Sequence, residues 1–463
     1  MRYFALATDY DGTIADGGVV TDSTLAALER LTRSGRKVVL VTGRRLEDLA
    51  QAFAHVGIFA RVVAENGAVL FAPATKEIRL LEEPPAPAFV DALRRRGVEP
   101  IAIGRVIVAT REPFQDVVLD TIRTMGLELH VEFNKGAVMV LPEGTTKRTG
   151  LAAALEDLRL SPHSVVGVGD GENDHSFLSQ CECAVSVANA IPSLKLRSDW
   201  VTPSPNGKGV VELIERVLAD DLQSLSPALR RRRIPLGSLA SGEEVTFDAY
   251  DSCLLLIGPS GSGKSTLAVA FLERLLEQSY QLCVVDPVGD HAPRLQLAAV
   301  GDAERPPSVD EVVALLEDPA RSLVATLLAV PLEDRARWFG TMSTRIDELR
   351  QGTGRPHWVF VDEAHHVLPA AKEASTIGLP RPATGLVFIT VEPSSVSRAV
   401  LAAVNLVLCT ADRALESLRA FAGATGRAPP QLLDAPEGAV LWRVGEPTAR
   451  SVTIAPPRHT LPA

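Results

Sequence analysis

"YFALATDYDGT" (residues 3–13) joins an apolar run to two carboxylates, Asp9 and Asp11, and a glycine. The run has the length of a buried strand. Further short apolar strands alternate with amphipathic segments such as "STLAALERLTRSG" and "KVVLVTG" as far as Leu222. That alternation predicts an α/β unit, a parallel sheet with helices on both faces. At the carboxyl end of a parallel strand, side chains project into the crevice where such folds bind ligands. Two carboxylates there can divide phosphoryl chemistry. One attacks phosphorus, and the other protonates the leaving group and then activates water.

The other parts of such a site follow in order. "KVVLVTGR" ends in Thr42, whose hydroxyl can bond phosphoryl oxygens; Lys147 in "EGTTKRTGL" offers a fixed cation. "SVVGVGDGEND" ends another strand with Asp170, followed by Asn173 and Asp174, and these oxygens suit Mg²⁺. The proline-rich "EEPPAPAF" (82–89) interrupts the rhythm, which predicts an inserted α+β unit over about 84–141.

A second constellation lies past the middle of the chain. "DSCLLLIGPSGSGKSTLAVAFLERLL" reads as strand, glycine-rich loop and helix, and it satisfies G-x-x-x-x-G-K-[ST] from Gly258 to Ser265. Gly258, Ser260, Gly261 and Gly263 shape a cradle of backbone N–H groups for the phosphates of ATP. Lys264 reaches the β/γ-phosphates, and Ser265, with Thr266 beside it, places a hydroxyl at the Mg²⁺. The later strand "HWVFVDEAHHVLP" ends in Asp362, which fits the Mg²⁺-supporting carboxylate, and Glu363, which can polarise a water. Two intervening strands, "QLCVVDP" and "SLVATLLAVPL", predict a sheet in which another strand separates the loop strand from the acidic one. The adjacent Asp-Glu pair favours hydrolysis over phosphotransfer. His365 and His366 do not read as a metal pair, because adjacent side chains face different ways.

These motifs resemble known families. "DYDGT", "VTGR", "ENGA" (65–68), Lys147, "GDGEND" and "VSVANAIPSLK" are similar to the haloacid dehalogenase superfamily, in its Cof-type or sucrose-phosphatase-like branch. The resemblance implies a Rossmann-like core with a small α+β cap, Asp9 as nucleophile and Asp11 as acid/base. It also implies Mg²⁺ held by Asp9, the Asp11 carbonyl and Asp170, with Asp174 supporting, and Asn173 on the phosphate. Gly43, Arg44, Glu65 and Asn66 are candidate substrate contacts, with helix capping or a salt bridge as the alternative for Arg44. The short cap resembles that of archaeal phosphoglycolate phosphatases, which implies a small phosphorylated metabolite. "IPLGSL", "VVDPVGDH", "VFVDEAHHVLP" and "GLVFITVEPSSVSRAVLAAVNLVLCT" resemble the HerA/FtsK group of hexameric ATPases. That resemblance implies a RecA-like P-loop domain and a homo-oligomer, with Arg337, Arg345, Arg398 or Arg413 reaching a neighbour's site. The departure is at Thr390, where Val391 and Glu392 replace the group's glutamine step.

The expected domains are therefore 1–222, a linker over 223–238 and 239–463, with Arg230 to Arg233 in the linker. The formal net charge of −10 argues against a dedicated nucleic-acid binder, although nucleic acid stays open as a partner. Apolar runs fall short of the ~18 residues of a membrane span. No leader is visible, and five sparse cysteines predict free thiols. A cytoplasmic location is the expectation. Two other readings remain open: a nucleic-acid end-processing kinase–phosphatase, and a phosphatase regulated by a nucleotide-sensing P-loop module.

Overall fold

A computed structural model of the chain describes residues 1–134, 136–229, 233–371, 378–380, 383–433 and 438–457. It divides into two compact units, Met1–Arg231 and Arg232–Ala463.

In the first unit, β1 (Ala5–Thr8), β2 (Lys37–Val41) and β3 (Arg61–Ala64) run parallel, while β4 (Val69–Ala72) and β5 (Glu77–Leu80) turn back antiparallel. An insert then contributes β6 (Ala102–Ile103), β7 (Val108–Arg111), β8 (Leu129–Asn134) and β9 (Ala137–Pro142), a separate antiparallel sheet of order β6-β7-β9-β8. The chain returns through β10 (Val165–Gly169), β11 (Cys183–Ser186) and β12 (Trp200–Val201), completing an eight-stranded sheet of order β12-β11-β10-β1-β2-β3-β4-β5.

Both faces of the central strands are covered, so they read as continuous apolar runs. Leu6, Val38, Leu40, Val166 and Val168 fill one face; Ala5, Ala7, Val39, Val41 and Val165 fill the other. The first covering helix, Asp22–Arg33, starts at Thr21, whose side chain accepts the Thr24 N–H. Such a cap is worth about 1 kcal/mol. Thr24, Ala27, Leu28 and Leu31 form its buried stripe at helical spacing. β1, β2 and β10 all stop at the same edge, and Asp9, Thr42 and Asp170 are the residues that follow them.

The second unit opens with the hairpin β13 (Arg233–Ser238) and β14 (Glu244–Asp248). Its sheet is built from β15 (Cys253–Ile257), β16 (Leu282–Asp286), β17 (Ala298–Val300), β18 (Leu323–Thr326), β19 (Trp358–Val361), β20 (Leu386–Thr390), β21 (Leu406–Thr410), β22 (Gln431–Leu432), β23 (Ala439–Arg443) and β24 (Thr448–Val452). The order is β17-β18-β16-β19-β20-β15-β21-β23-β24-β22, so β20 separates the loop strand β15 from the acidic strand β19. Alternation again sorts the faces, with Cys253, Leu255 and Ile257 on one and Leu254 and Leu256 on the other.

The structure differs from the expected linker over 223–238. Gln223–Ala228 is a 3₁₀ helix, and Leu222 and Leu229 are buried in the core of the first unit. Arg233–Ser238 is β13, with Ile234 and Leu236 buried two residues apart. The arginines and prolines around that pair hide a strand-period signal. Arg230, Arg231 and Arg232 lie outside the described residues. The five cysteines are free and buried, and no helix among the described residues is long and apolar enough to cross a membrane.

Candidate active sites

Lys147 is the first residue of the helix Lys147–Asp157, placed there by a reciprocal cap between Thr146 and Thr149. Its side chain is 1% exposed, and its ammonium lies 2.6 Å from both Asp9 Oδ1 and Asp174 Oδ1. Thr13 bridges Asp9 Oδ2 (3.3 Å) and Asp170 Oδ1 (3.2 Å). The second oxygen of Asp174 accepts the N–H groups of Asp170 and Gly171, each at 2.8 Å. Gly169 makes that approach feasible, since a Cβ there would stand 2.6 Å from Asp174 Oδ2.

Asp9, Asp170 and Asp174 are all buried and offer carboxylate oxygens within 4.8 Å of one another. Burial, and then the Asp174 carboxylate, push Asp9 up to about 7 against the pull of Lys147. Burial works against the charge on Lys147, but Asp174 and Asp9 outweigh it and hold its pKa above the usual lysine range. Three buried carboxylates thus face one ammonium. A hard divalent cation such as Mg²⁺ fits that excess of oxygen charge.

Asp11 stands apart from this group. Its carboxylate is held bidentately by Arg44, Nε to Oδ2 and Nη2 to Oδ1 at 2.6 Å each, and Arg44 also lies over the Tyr10 ring. Of the roles open to Arg44, the structure shows the salt bridge. Thr42 is buried, and its Oγ1 accepts the Arg44 N–H at 3.1 Å, which leaves the hydroxyl proton free to donate. Glu65 accepts the N–H groups of Arg105, Val106 and Ile107, so it pins the cap turn rather than lining the catalytic carboxylates. Asn66 accepts from Asn173 Nδ2 at 2.8 Å and donates to Glu132 of the cap. Gly43 faces Asn66, with its Cβ position 3.8 Å from Asn66 Oδ1.

In the second unit, the loop after β15 passes through Gly261 and Gly263, both at positive φ, into the helix Lys264–Glu277. That helix begins at Gly263 without a capping side chain. Its first N–H groups therefore point outward as an anion site, the arrangement that ATP phosphates fit. Ser260, Ser265 and Thr266 are exposed, whereas Lys264 is buried with Nζ 3.6 Å from Glu363 Oε1. Glu363 sits at φ 38, ψ 54, a conformation that costs a residue with a side chain about 1–3 kcal/mol and clusters at functional sites.

Asp362 accepts the Glu363 N–H and, on its other oxygen, His291 Nε2 at 2.8 Å. Burial pushes Asp362 up, but the bond and charge of His291 outweigh it and hold the carboxyl below its usual range. His365 lies 3.2 Å from Thr390 Oγ1 and 3.4 Å from Glu363 Oε2. Of the arginines weighed for a neighbour's site, Arg337 and Arg345 pair with Asp334 and Asp310.

Residues 6–103 and 106–214 match the haloacid dehalogenase-like hydrolases, and residues 248–378 match an AAA domain. A phosphoglycolate phosphatase from Methanothermobacter thermautotrophicus is 30% identical over 220 residues, which cover 46% of this chain and 98% of that protein. Another, from Methanopyrus kandleri, is 30% identical over 228 residues, 46% of this chain and 96% of the relative. Over its first half, the chain belongs to the haloacid dehalogenase-like hydrolase family. A solved haloacid dehalogenase-like hydrolase from Bacteroides thetaiotaomicron is 19% identical and covers 47% of this chain and all of that one, with a TM-score of 0.42.

Within this haloacid dehalogenase-like unit, sequence reasoning missed Thr13, which links two carboxylates, and Asn189, which donates to the Gly12 carbonyl at 2.8 Å. Thr13 was legible as the last residue of "DYDGT", and Asn189 lies inside "VSVANAIPSLK". His291 in the AAA-type domain is the last residue of "VVDPVGDH", but only the fold brings it to Asp362 across 71 residues.

Proposed function

We propose that the first unit hydrolyses a phosphate monoester through an aspartyl-phosphate. The observation that carries this reading is the buried group of Asp9, Lys147, Asp170 and Asp174 at the ends of β1 and β10. An Asp9 carboxylate oxygen attacks phosphorus as the ester P–O bond breaks, and Asp11 gives its proton to the departing oxygen. Asp11 then takes a proton from water, whose oxygen attacks the same phosphorus. The acyl phosphate P–O bond breaks, phosphate leaves and Asp9 is restored. Thr42 and the second amide hydrogen of Asn173 orient phosphoryl oxygens, and Lys147 favours the ionised form of Asp9 and aims it. Mg²⁺, when bound by Asp9 and Asp170 with Asp174 in support, supplies charge stabilisation for the phosphoryl group. Arg44 must release Asp11 for the acid step, so the pair is also a gate on the leaving-group side.

The second unit, in this reading, binds ATP on Gly258–Thr266 and hydrolyses it, with Glu363 polarising water and Ser265 and Asp362 supporting Mg²⁺. The separation of β15 and β19 by β20 supports a RecA-like ATPase, and the sequence resemblance to the HerA/FtsK group supports that type and its self-association. Asp9→Asn should abolish aryl phosphate hydrolysis and leave ATP hydrolysis intact, read as free [³²P]phosphate from [γ-³²P]ATP. Retained aryl phosphatase activity in that variant refutes the first assignment. Label transferred to a polynucleotide acceptor refutes the second.

A further inference from the structure

β8 carries a polar row that the catalytic scheme does not use. His130, Glu132 and Asn134 alternate along it and so share one face of the strand. In register opposite them on β9 stand Leu141, Met139 and Ala137, which pack with the first unit's main core. The intervening Leu129 and Val131 pack with the cap's own cluster. The polar row is therefore on the face turned toward the catalytic crevice. Two contacts place it there: Glu132 accepts from Asn66, and a Cβ at Gly171, beside Asp170, would stand 3.1 Å from Asn134 Oδ1.

The hydrogen-bond chain fixes which atoms are left over. Asn66 turns Nδ2 to the Glu132 carboxylate, so its Oδ1 faces Asn173, and Asn173 must answer with Nδ2 at 2.8 Å. Asn173 Oδ1 is then buried without a partner, as is Asn134 Oδ1. His130 Nδ1 lies 2.9 Å from the Pro142 carbonyl and must donate to it. Its Nε2 is buried without a hydrogen-bond partner, 3.8 Å from Glu132 Oε1. The orphaned amide oxygens of Asn134 and Asn173 are acceptors. Burial pushes Glu132 up to about 7 despite Lys147, as expected for a carboxylate short of donors. The cations bordering the catalytic carboxylates are already held, Lys147 by Asp9 and Asp174 and Arg44 by Asp11.

We propose that His130, Glu132 and Asn134 of the cap, with Asn66 and Asn173 of the core, form a subsite for hydrogen-bond donors, and that the substrate is a phosphate monoester bearing hydroxyl or ammonium groups rather than a second carboxylate. Buried acceptors without partners are costly, and donors on a ligand would satisfy them. A carboxylate brings only acceptors and sets a negative charge against Glu132. The selectivity of this chain therefore differs from that named for its phosphoglycolate phosphatase relatives.

This inference rests on the phosphatase reading, and the test separates the two. The full chain with Mg²⁺ is assayed against p-nitrophenyl phosphate, erythritol 4-phosphate, ethanolamine phosphate and phosphoglycolate. No turnover of any of the four sinks the phosphatase reading. Given turnover, kcat/KM for the better of the two donor-bearing esters should exceed that for phosphoglycolate by more than about tenfold. Glu132→Gln, which puts a donor in the row, should cut that ratio by about tenfold or more, and Asn134→Leu should lower it in the same direction. A wild-type ratio of about ten or less overturns the subsite, as does a ratio that both variants leave unchanged.

Discussion

Replacing Lys147 by methionine tests the electrostatic core of the phosphatase site. Methionine matches the lysine stem in volume, so the change removes charge and leaves the packing. Asp174 keeps its two backbone N–H bonds at 2.8 Å, while Asp9 keeps only the Thr13 hydroxyl at 3.3 Å among the bonds described above. Asp9 is thus the group left uncompensated, with its side chain only 7% exposed. Breaking a buried pair by removing one partner costs about 3–5 kcal/mol. For a unit of this size that is a loss of about 6–20 °C in Tm.

The cost depends on pH with a definite sign. Asp9 already titrates at about 7 against 3.8 for the ordinary carboxyl, and without Lys147 it titrates higher still. A carboxyl whose folded pKa is raised contributes stability below its unfolded pKa and loses it as pH rises through the folded value. Metal-free Lys147→Met should therefore be far less stable than wild type near about pH 8 and closer to it near about pH 5.5. Scanning calorimetry of the full chain in EDTA at the two pH values measures this. A deficit that is absent at the higher pH, or larger at the lower one, refutes the charge argument and leaves Lys147 as packing.

Glu132→Gln has a linkage effect of its own. Wild-type Glu132, raised from 4.5 to about 7, should lose up to about 3 kcal/mol of stability as pH rises through that window, so the variant should gain in Tm relative to wild type between those values; a pH-independent difference rules this out. Gly258→Ala puts a Cβ 2.4 Å from Thr410 Oγ1 and 2.6 Å from Ser262 Oγ. Overpacking of that kind costs about 1–3 kcal/mol, and the variant should lose both thermal stability and binding of a fluorescent ATP analogue; wild-type values for both would count against the loop geometry. His291→Ala strips Asp362 of its imidazole partner and should raise the Mg²⁺ concentration needed for half-maximal ATP hydrolysis by about 10–100-fold. An unchanged Mg²⁺ titration would reduce His291 to a packing residue.

What sequence made legible follows a physical rule. Asp9, Thr42, Asp170 and the Gly258–Ser265 loop are each written beside the strand that positions them, so local pattern and function coincide. Lys147 was legible for a related reason, since "EGTTK" carries a helix cap that fixes the lysine at the first turn. Pairings across the fold were not. Arg44 with Asp11, His291 with Asp362 and Asn173 with Asn66 span 33, 71 and 107 residues, and no local period encodes them. The cap row was half legible. "LHVEFN" alternates apolar and polar residues, which announces a strand with one polar face, but only the register against β9 shows which way that face turns. The linker was misread for the opposite reason: a run of charge and proline drew attention from Ile234 and Leu236, two buried residues at strand spacing.

The two lysines are wired differently. Lys147 is clamped between two carboxylates at 2.6 Å, so its charge is spent before any ligand arrives. In the proposed phosphatase mechanism it would organise Asp9, and the attraction for phosphoryl oxygens would come from Thr42, Asn173 and a divalent cation. Lys264 is only loosely tied, with Glu363 Oε1 at 3.6 Å and the second Glu363 oxygen without a hydrogen bond. A phosphate entering on the uncapped helix can outcompete that contact, because a charge-assisted hydrogen bond at ordinary length is stronger than a pair at 3.6 Å. Binding then does two things in one exchange. In the proposed ATPase, it would neutralise Lys264 and release the Glu363 oxygen that Lys264 holds. Lys264→Ala should therefore remove nucleotide binding, whereas Glu363→Gln should retain ATP and fail to hydrolyse it. Equal loss of binding in both variants would show that the Lys264–Glu363 contact is structural rather than a latch.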